Sequence, residues 1–270
     1  MDLDFNTIYK NIDKIVQGSL IDLSDVDFIR PWSLAMICLL MIEKHKDTNR
    51  KLILPKNPNV LGYLKRVHFC DILKELGYSE EYDILNKIDK SESYNLNIQE
   101  IIHCKYSDDF NARLGHISLM FRNFGLNNDQ ANFATNIVAE LGNNVFDHNL
   151  GNWPTDISGC FIVAQCFPAE KSIEVAIGDP GIGFWGSLKA KFPSIKDDIE
   201  AIKLGLEGHT GRIGENRGNG LKFIQKWTID DLYGNLMIHS GGGLVTLGNK
   251  NGIKEFKVNK VLGTIAQFVI

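Results

Sequence analysis

The chain has 270 residues, a formal net charge of −4, and 44 % hydrophobic against 23 % charged residues. That is the make-up of a folded protein of one large or two ordinary domains; it excludes wholesale disorder and a basic nucleic-acid binder, which needs a strong Lys/Arg excess. The longest apolar run, Leu34 to Ile42, is too short to span a bilayer, and the acidic, polar start MDLDFNTIYK is no secretory signal, so a cytoplasmic protein is expected.

In chain order, Leu20, Leu23, Val26, Phe28 and Ile29 give a short strand pattern with imperfect alternation. Pro31 suits the first turn of a helix, where its missing N–H costs nothing. The following WSLAMICLLMIEKHK is apolar nearly all round, which predicts a mostly buried helix that surfaces near Glu43. Residues 51–54 predict another short strand, closed by Pro55. Over residues 58–76, Val60, Leu61, Leu64, Val67 and Ile72 stand at roughly helical spacing. Strand–helix–strand–helix is a βαβα unit, and it predicts parallel strand pairing.

Val26-Asp27-Phe28-Ile29, followed by a helix beginning near Trp32-Ser33-Leu34, resembles a STAS-type domain, the fold of anti-sigma-factor antagonists, over about 60 residues. That family carries a phosphoacceptor serine in a D-S-S-G-like turn. Here the stretch reads Arg30-Pro31-Trp32-Ser33, and aligned on Leu34 it puts Ser33 on the glycine. The resemblance therefore implies an interaction module for a protein partner, with no phosphoswitch expected.

Residues 86–100, NKIDKSESYNLNIQE, are polar and read as a connector, with a boundary near residue 92. Residues 98–106 turn apolar again and predict the first strand of a second domain. Glycine changes across this region: of 25, five lie in residues 1–130 and twenty in residues 131–270. The five cysteines, Cys38, Cys70, Cys104, Cys160 and Cys166, have no C-x-x-C spacing and read as buried thiols with no zinc site or disulfide framework. His116 reads as a structural histidine.

Residues 128–149 predict a long helix capped by Asn128 or Asp129. Phe133, Ile137, Leu141 and Val145 repeat every four residues as an apolar face. Glu140, Asn144 and His148 repeat likewise on another face, which is either solvated or a site: a carboxylate for base work, an amide oxygen for a hard cation. Strands follow at Ile157 to Phe167 and Ser172 to Ile177, joined around Pro168-Lys171. The second runs into Asp179-Pro180-Gly181-Ile182-Gly183, which aims a carboxylate from the sheet edge and lets the backbone approach a flat ligand. A helix is predicted from Ile195 to Leu206, then a glycine-rich, charged piece with Gly208, Gly211, Arg212 and Gly214. Arg217-Gly218-Asn219-Gly220-Leu221-Lys222 leads into a further helix and reads as an anion site, without the Walker or Rossmann spacing. Strands at Leu236 to Ser240, Gly243 to Leu247 and Gly263 to Ile270 close the chain, with Gly241-Gly242 as a hairpin turn.

Glu140-x-x-x-Asn144, Asp179-x-Gly181-x-Gly183, Gly218-x-Gly220-Leu221 and Gly263-Thr264, in that order, resemble the boxes of the GHKL ATPase superfamily: gyrase, the large heat-shock chaperone, histidine kinases and mismatch-repair ATPases. The resemblance covers about 160 residues. The two resemblances together imply an α/β (α+β) chain: a STAS-like βαβα module with its connector at 1–92, then at 93–270 a GHKL-type two-layer sandwich with a mixed sheet. The GHKL resemblance implies ATP and Mg²⁺ as cofactors. Glu140 matches the general base, Asn144 the Mg²⁺ ligand, Asp179 the adenine-reading aspartate, and Thr264 the hydroxyl beside the adenine. Gly181 and Gly183 match the close backbone at the nucleotide, and Gly218, Gly220 and Leu221 the phosphate turn. Residues 184–217 match the lid, and Arg212, Arg217 and Lys222 are candidates for phosphate charge. Asp147 stands where histidine kinases often carry a basic residue, and His148 either assists the phosphates or caps the helix.

The expected activity is ATP hydrolysis or transfer of the γ-phosphate to a protein partner, in the manner of anti-sigma-factor kinases. The alternative is a nucleotide-dependent switch with negligible turnover. A structural scaffold, the third class, would bind no nucleotide. Many members of the superfamily dimerise, so a homodimer remains open, although no heptad is visible.

Overall fold

The computed structural model describes residues 1–88, 98–149, 151–210, 220–248 and 252–270. The first segment is built from β1 (Asp2–Leu3), α1 (Phe5–Ile15), β2 (Val16–Gln17), β3 (Leu20–Asp22), β4 (Phe28–Ile29), α2 (Pro31–Lys44), β5 (Lys51–Ile53), α3 (Pro58–Arg66), α4 (Phe69–Glu75) and α5 (Ser79–Asn86). The second has β6 (Ile98–Cys104), α6 (Ser107–Phe124), α7 (Asn128–Asn149), β7 (Cys160–Phe167), β8 (Ser172–Asp179), α8 (Gly183–Leu188), α9 (Asp198–Leu206) and α10 (Gly220–Lys226), which runs into a π-helical turn at Trp227–Asp231, then β9 (Asn235–Gly248) and β10 (Gly252–Val269). The boundary expected near residue 92 falls outside the described residues.

The fold is mixed α/β. β3 and β5, which α2 separates in the chain, pair with each other in parallel, as a strand–helix–strand unit requires. The single strand expected over residues 20–29 is instead two, in different sheets: β3 pairs with β2 and β5, and β4 pairs with β1. A turn separates them, in which the Val26 N–H donates to the Leu23 carbonyl and the Ser24 N–H to Asp22 Oδ1. That turn is why the alternation was imperfect. The helix expected over residues 58–76 also divides, at His68, whose φ of 62° is left-handed and cannot continue a helix.

The large sheet has the order β6-β7-β8-β10-β9. A mixed sheet was expected, but every pairing among the described residues of this sheet is antiparallel. β8 and β9 do run parallel to each other, yet β10 returns between them and pairs with both. The turn expected at Gly241-Gly242 is not a turn either. These glycines lie inside β9, where the pairing with β10 shifts register and Gly241 has a φ of +57°. Such a bulge bends a strand without ending it. The Gly242 N–H donates to Asp198 Oδ2 at 2.9 Å, which docks the start of α9 on β9.

Each face of this sheet has its own cover. One face, with Ile162, Ala164, Val175, Ile177, Ile238 and Phe268, packs under α6 and α7. The other, with Phe161, Val163, Ala176, Met237 and Ile265, packs against the first segment, chiefly α2. Every residue of α2 from Pro31 to Ile42 is buried, and Glu43 is exposed. A helix held between a sheet and the small strands beneath it must be apolar all round. The hydrophobic core of the first segment thus continues onto the large sheet without a break.

Polar contacts pin the same junction. Arg30 pairs with Glu170 and with Glu174 of β8. Glu75 meets His103 of β6 at 2.8 Å and Lys105 at 2.6 Å. His45 meets Asp156 at 2.8 Å. Tyr9 Oη lies 2.9 Å from His239 Nδ1, and His239 Nε2 lies 3.0 Å from the Gly241 carbonyl. The carbonyl can only accept, so Nε2 carries the hydrogen and the Tyr9 hydroxyl donates to Nδ1. Burial holds His239 down at about 4, so it stays neutral. Tyr9→Phe leaves that buried nitrogen without a donor. It is expected to cost about 1–2 kcal/mol and lower the Tm by a few degrees in a thermal melt.

Candidate functional site

α7 spans Asn128–Asn149, the range the sequence pattern predicts. Its apolar residues Ile137, Leu141 and Val145 face the sheet, and Glu140, Asn144 and His148 follow a neighbouring row. Between α7 and the sheet lies a cavity, partly open to solvent and walled on its other sides by α8, α9 and the start of α10. Six of the expected site residues line it: Asn144, His148, Asp179, Gly183, Leu221 and Thr264.

Asp179 sits at the end of β8, directly across from Thr264 of β10, which in turn lies across from Ser240 of β9. A polar row therefore crosses three strands at one end of the sheet. Asp179 Oδ1 accepts two hydrogen bonds, from the Gly181 N–H at 2.9 Å and from Asn149 Nδ2 at 3.0 Å. Burial drives its carboxyl up to about 7, with those two donors pulling back. Neither donor engages Oδ2, which leaves a second acceptor oxygen on a residue that lines the cavity. Thr264 Oγ1 donates to Ser240 Oγ at 3.2 Å, and the Phe184 N–H donates to the same oxygen at 3.0 Å.

Asn149 was not anticipated, and it organises this corner. It is buried; its Nδ2 donates to the Val145 carbonyl as well as to Asp179, and its Oδ1 accepts from the Ile182 N–H at 2.9 Å. The signal was in the periodicity. Position 149 continues the 137, 141, 145 series, so a polar residue there is buried and needs partners. Ser240 carries the same signal, since it follows Leu236 and Ile238 on the apolar side of β9.

The glycines of the Asp179 turn also have a packing reason. A Cβ on Gly181 would stand 2.2 Å from the Asn149 amide, and one on Gly183 2.6 Å from Ser240 Oγ. Gly263, with a φ of +72°, brings β10 so close that a Cβ would lie 1.8 Å from the Asp179 carbonyl. Only glycine lets the turn lie flat on the neighbouring strand.

His148 Nδ1 is 3.0 Å from Ser187 Oγ of α8. Burial pushes its pKa down, so the ring is neutral near pH 7. Asn144 Nδ2 is buried without a hydrogen-bond partner. An orphaned amide in a cavity marks a group awaiting a ligand or a water. Glu140 is half-buried but does not line the cavity. A Cβ on Gly220 would lie 2.5 Å from Glu140 Oε2, so this carboxylate rests against the start of α10.

Arg212, Arg217 and Gly218 lie outside the described residues, as do Gly211 and Gly214. The described part of the expected lid carries two helices, α8 and α9, joined by an irregular stretch: Leu188, Ile195 and Ala201 pack with Phe184, Phe192 and Leu204 into a small core of their own. In the first segment, Ser33 is fully buried and its hydroxyl donates to the Asp4 carbonyl at 3.1 Å. His116, read from sequence as structural, is exposed on α6. All five cysteines are buried and free. Among the described residues, no group of three or more His, Cys, Asp or Glu could hold a metal ion by itself, and no helix is long and apolar enough to cross a membrane. No protein-family model, curated protein or solved structure matches the chain.

Proposed function

We propose that the chain binds ATP with Mg²⁺ in the cavity beneath α7, as a GHKL-type protein, and hydrolyses it or transfers its γ-phosphate to a protein partner. The observation that supports this most is convergence. Residues from four separated boxes, Asn144, Asp179, Gly183, Leu221 and Thr264, meet on one cavity. In this reading Asp179 Oδ2 accepts from the exocyclic amine of adenine, Thr264 and Ser240 support the base, and the phosphates extend along α7 toward Asn144 and Glu140. The fit to Mg²⁺ rests on Asn144, whose amide has an unmet polar atom. Turned over, that amide would present its oxygen, and an ion of this kind takes one or two protein oxygens with the rest from phosphates. When bound, Mg²⁺ would neutralise phosphate charge. Glu140 would take the proton of the attacking water or hydroxyl. The first segment, in this reading, presents the STAS-like surface to the partner.

One observation favours the second reading, a switch without turnover. Glu140 rests on Gly220 and is not among the residues lining the cavity, so a catalytic role would need its side chain to turn or the start of α10 to shift. Glu140→Gln separates the two. As a general base its loss should cut Mg²⁺-dependent ATP turnover about 100-fold while calorimetry still shows ATP binding. Wild-type protein that binds ATP but never turns it over, alone or with a partner, establishes the switch.

A further inference from the structure

The cavity has a direction. Glu140, Asn144 and His148 succeed one another along α7 at about 6 Å per step, four residues of 1.5 Å each. Asn149, next after His148, holds Asp179. His148 therefore lies between the base-reading carboxylate at one end and the Asn144–Glu140 end. A nucleoside triphosphate with its base on Asp179 and its phosphates toward Glu140 lays its sugar beside His148.

Beside His148 on the cavity wall stands Ser187, on the helix that follows the Asp179 turn. The two side chains are 3.0 Å apart and both line the cavity. A neutral imidazole holds one hydrogen. If Nδ1 is bare, the Ser187 hydroxyl donates to it and keeps both lone pairs. If Nδ1 carries the hydrogen, Ser187 accepts from it and keeps one lone pair and its own O–H. In either tautomer Ser187 Oγ can still accept from an alcohol. Such a serine, fixed by its histidine at the middle of the cavity, suits a hydroxyl-bearing part of the ligand.

We propose that Ser187, held in place by His148, reads a hydroxyl of the sugar, so that the site takes ribonucleotides in preference to deoxyribonucleotides. This rests on the nucleotide reading above and adds to it the substrate class and a specificity-determining residue.

The test is calorimetric titration of the full chain with Mg²⁺ and non-hydrolysable analogues of ATP, 2′-deoxy-ATP and 3′-deoxy-ATP. Wild type is expected to bind the ribonucleotide about tenfold more tightly than at least one of the deoxy forms, the worth of one hydrogen bond. Ser187→Ala should bring that ratio to about one by weakening the ribonucleotide alone, and Ser187→Thr, which keeps the hydroxyl, should preserve it. A merely structural serine would weaken all three ligands together. If Ser187→Ala does not fold, Ser187→Cys, whose thiol accepts poorly, is read in the same way. A wild-type ratio of one for both deoxy forms, or a ratio unchanged by Ser187→Ala, overturns the sugar contact alone, provided binding still depends on Asp179. Failure of wild type to bind any of the three overturns the nucleotide reading and the sugar contact with it.

Discussion

Asp179→Asn should weaken the proposed nucleotide binding on the order of 100-fold and at the same time raise the Tm of the free protein. The substitution is isosteric. Oδ1 still accepts from the Gly181 N–H and from Asn149, so the turn keeps its shape. What changes is the other atom, where an N–H donor replaces an acceptor and would meet the amine of the proposed adenine donor to donor. The lost bond and the new conflict together should lower affinity on the order of 100-fold, read by calorimetry. The gain in stability comes from burial. A carboxyl held at about 7 when folded, against an ordinary 3.8, is penalised at neutral pH by on the order of 4 kcal/mol as an upper bound. An amide carries no such penalty, so the Tm should rise by several degrees.

The same group sets two opposed pH trends. Its folded pKa lies above its unfolded one, so between about pH 4 and pH 7 the folded state holds more protons than the unfolded state. Stability of the free protein should therefore fall as pH rises through that window, and Asp179→Asn should remove this part of the slope. Nucleotide affinity should move the other way, strengthening from about pH 6 to pH 8, because only the carboxylate form accepts on both oxygens.

Arg30→Ala should cost about 3 kcal/mol and lower the Tm by several degrees, the penalty of leaving a buried charge unpaired. Arg30 stands at the start of α2, its guanidinium 4.3 Å above the Phe167 ring and paired with Glu174 on β8. Glu174 is 7 % exposed, and its other partner is Gln267 at 3.0 Å. Burial already raises the Glu174 carboxyl, with Arg30 and Gln267 pulling it back. Without Arg30 it rises further. The folded state of the variant then binds a proton more readily than the unfolded chain, so its stability is greatest at low pH and is lost as pH rises through the raised pKa. Urea melts at about pH 5 and pH 8 should show a smaller deficit at the lower pH. Glu174→Gln in the Arg30→Ala background should recover part of the loss. No recovery would mean that Arg30 acts through its packing on Phe167.

Two kinds of information divide here. α7, α2, α9 and the β7–β8 hairpin were all readable from periodicity, caps and turn residues, because those signals lie within a dozen neighbouring positions. So was the order of Glu140, Asn144, Asp179, Gly183, Leu221 and Thr264. Short strands fared worse. Residues 20–29 give an apolar pattern that does not reveal the turn at Leu23–Val26, and two-residue strands such as β1 and β4 have no pattern at all.

Local sequence states which side of an element is apolar; it does not state what covers that side. α2 reads as a buried helix from its composition, but that it fills the second face of a sheet formed beyond residue 98 follows only from packing. The antiparallel return of β10 between β8 and β9 is likewise a matter of long-range pairing. That pairing is also what places Thr264 across from Asp179 and Ser240 across from Thr264. Asn149 and His148 meet Asp179, Ile182 and Ser187, on elements that α7 reaches only once the chain has folded back on itself. Periodicity is a property of neighbours along the chain, and a site is a property of neighbours in space.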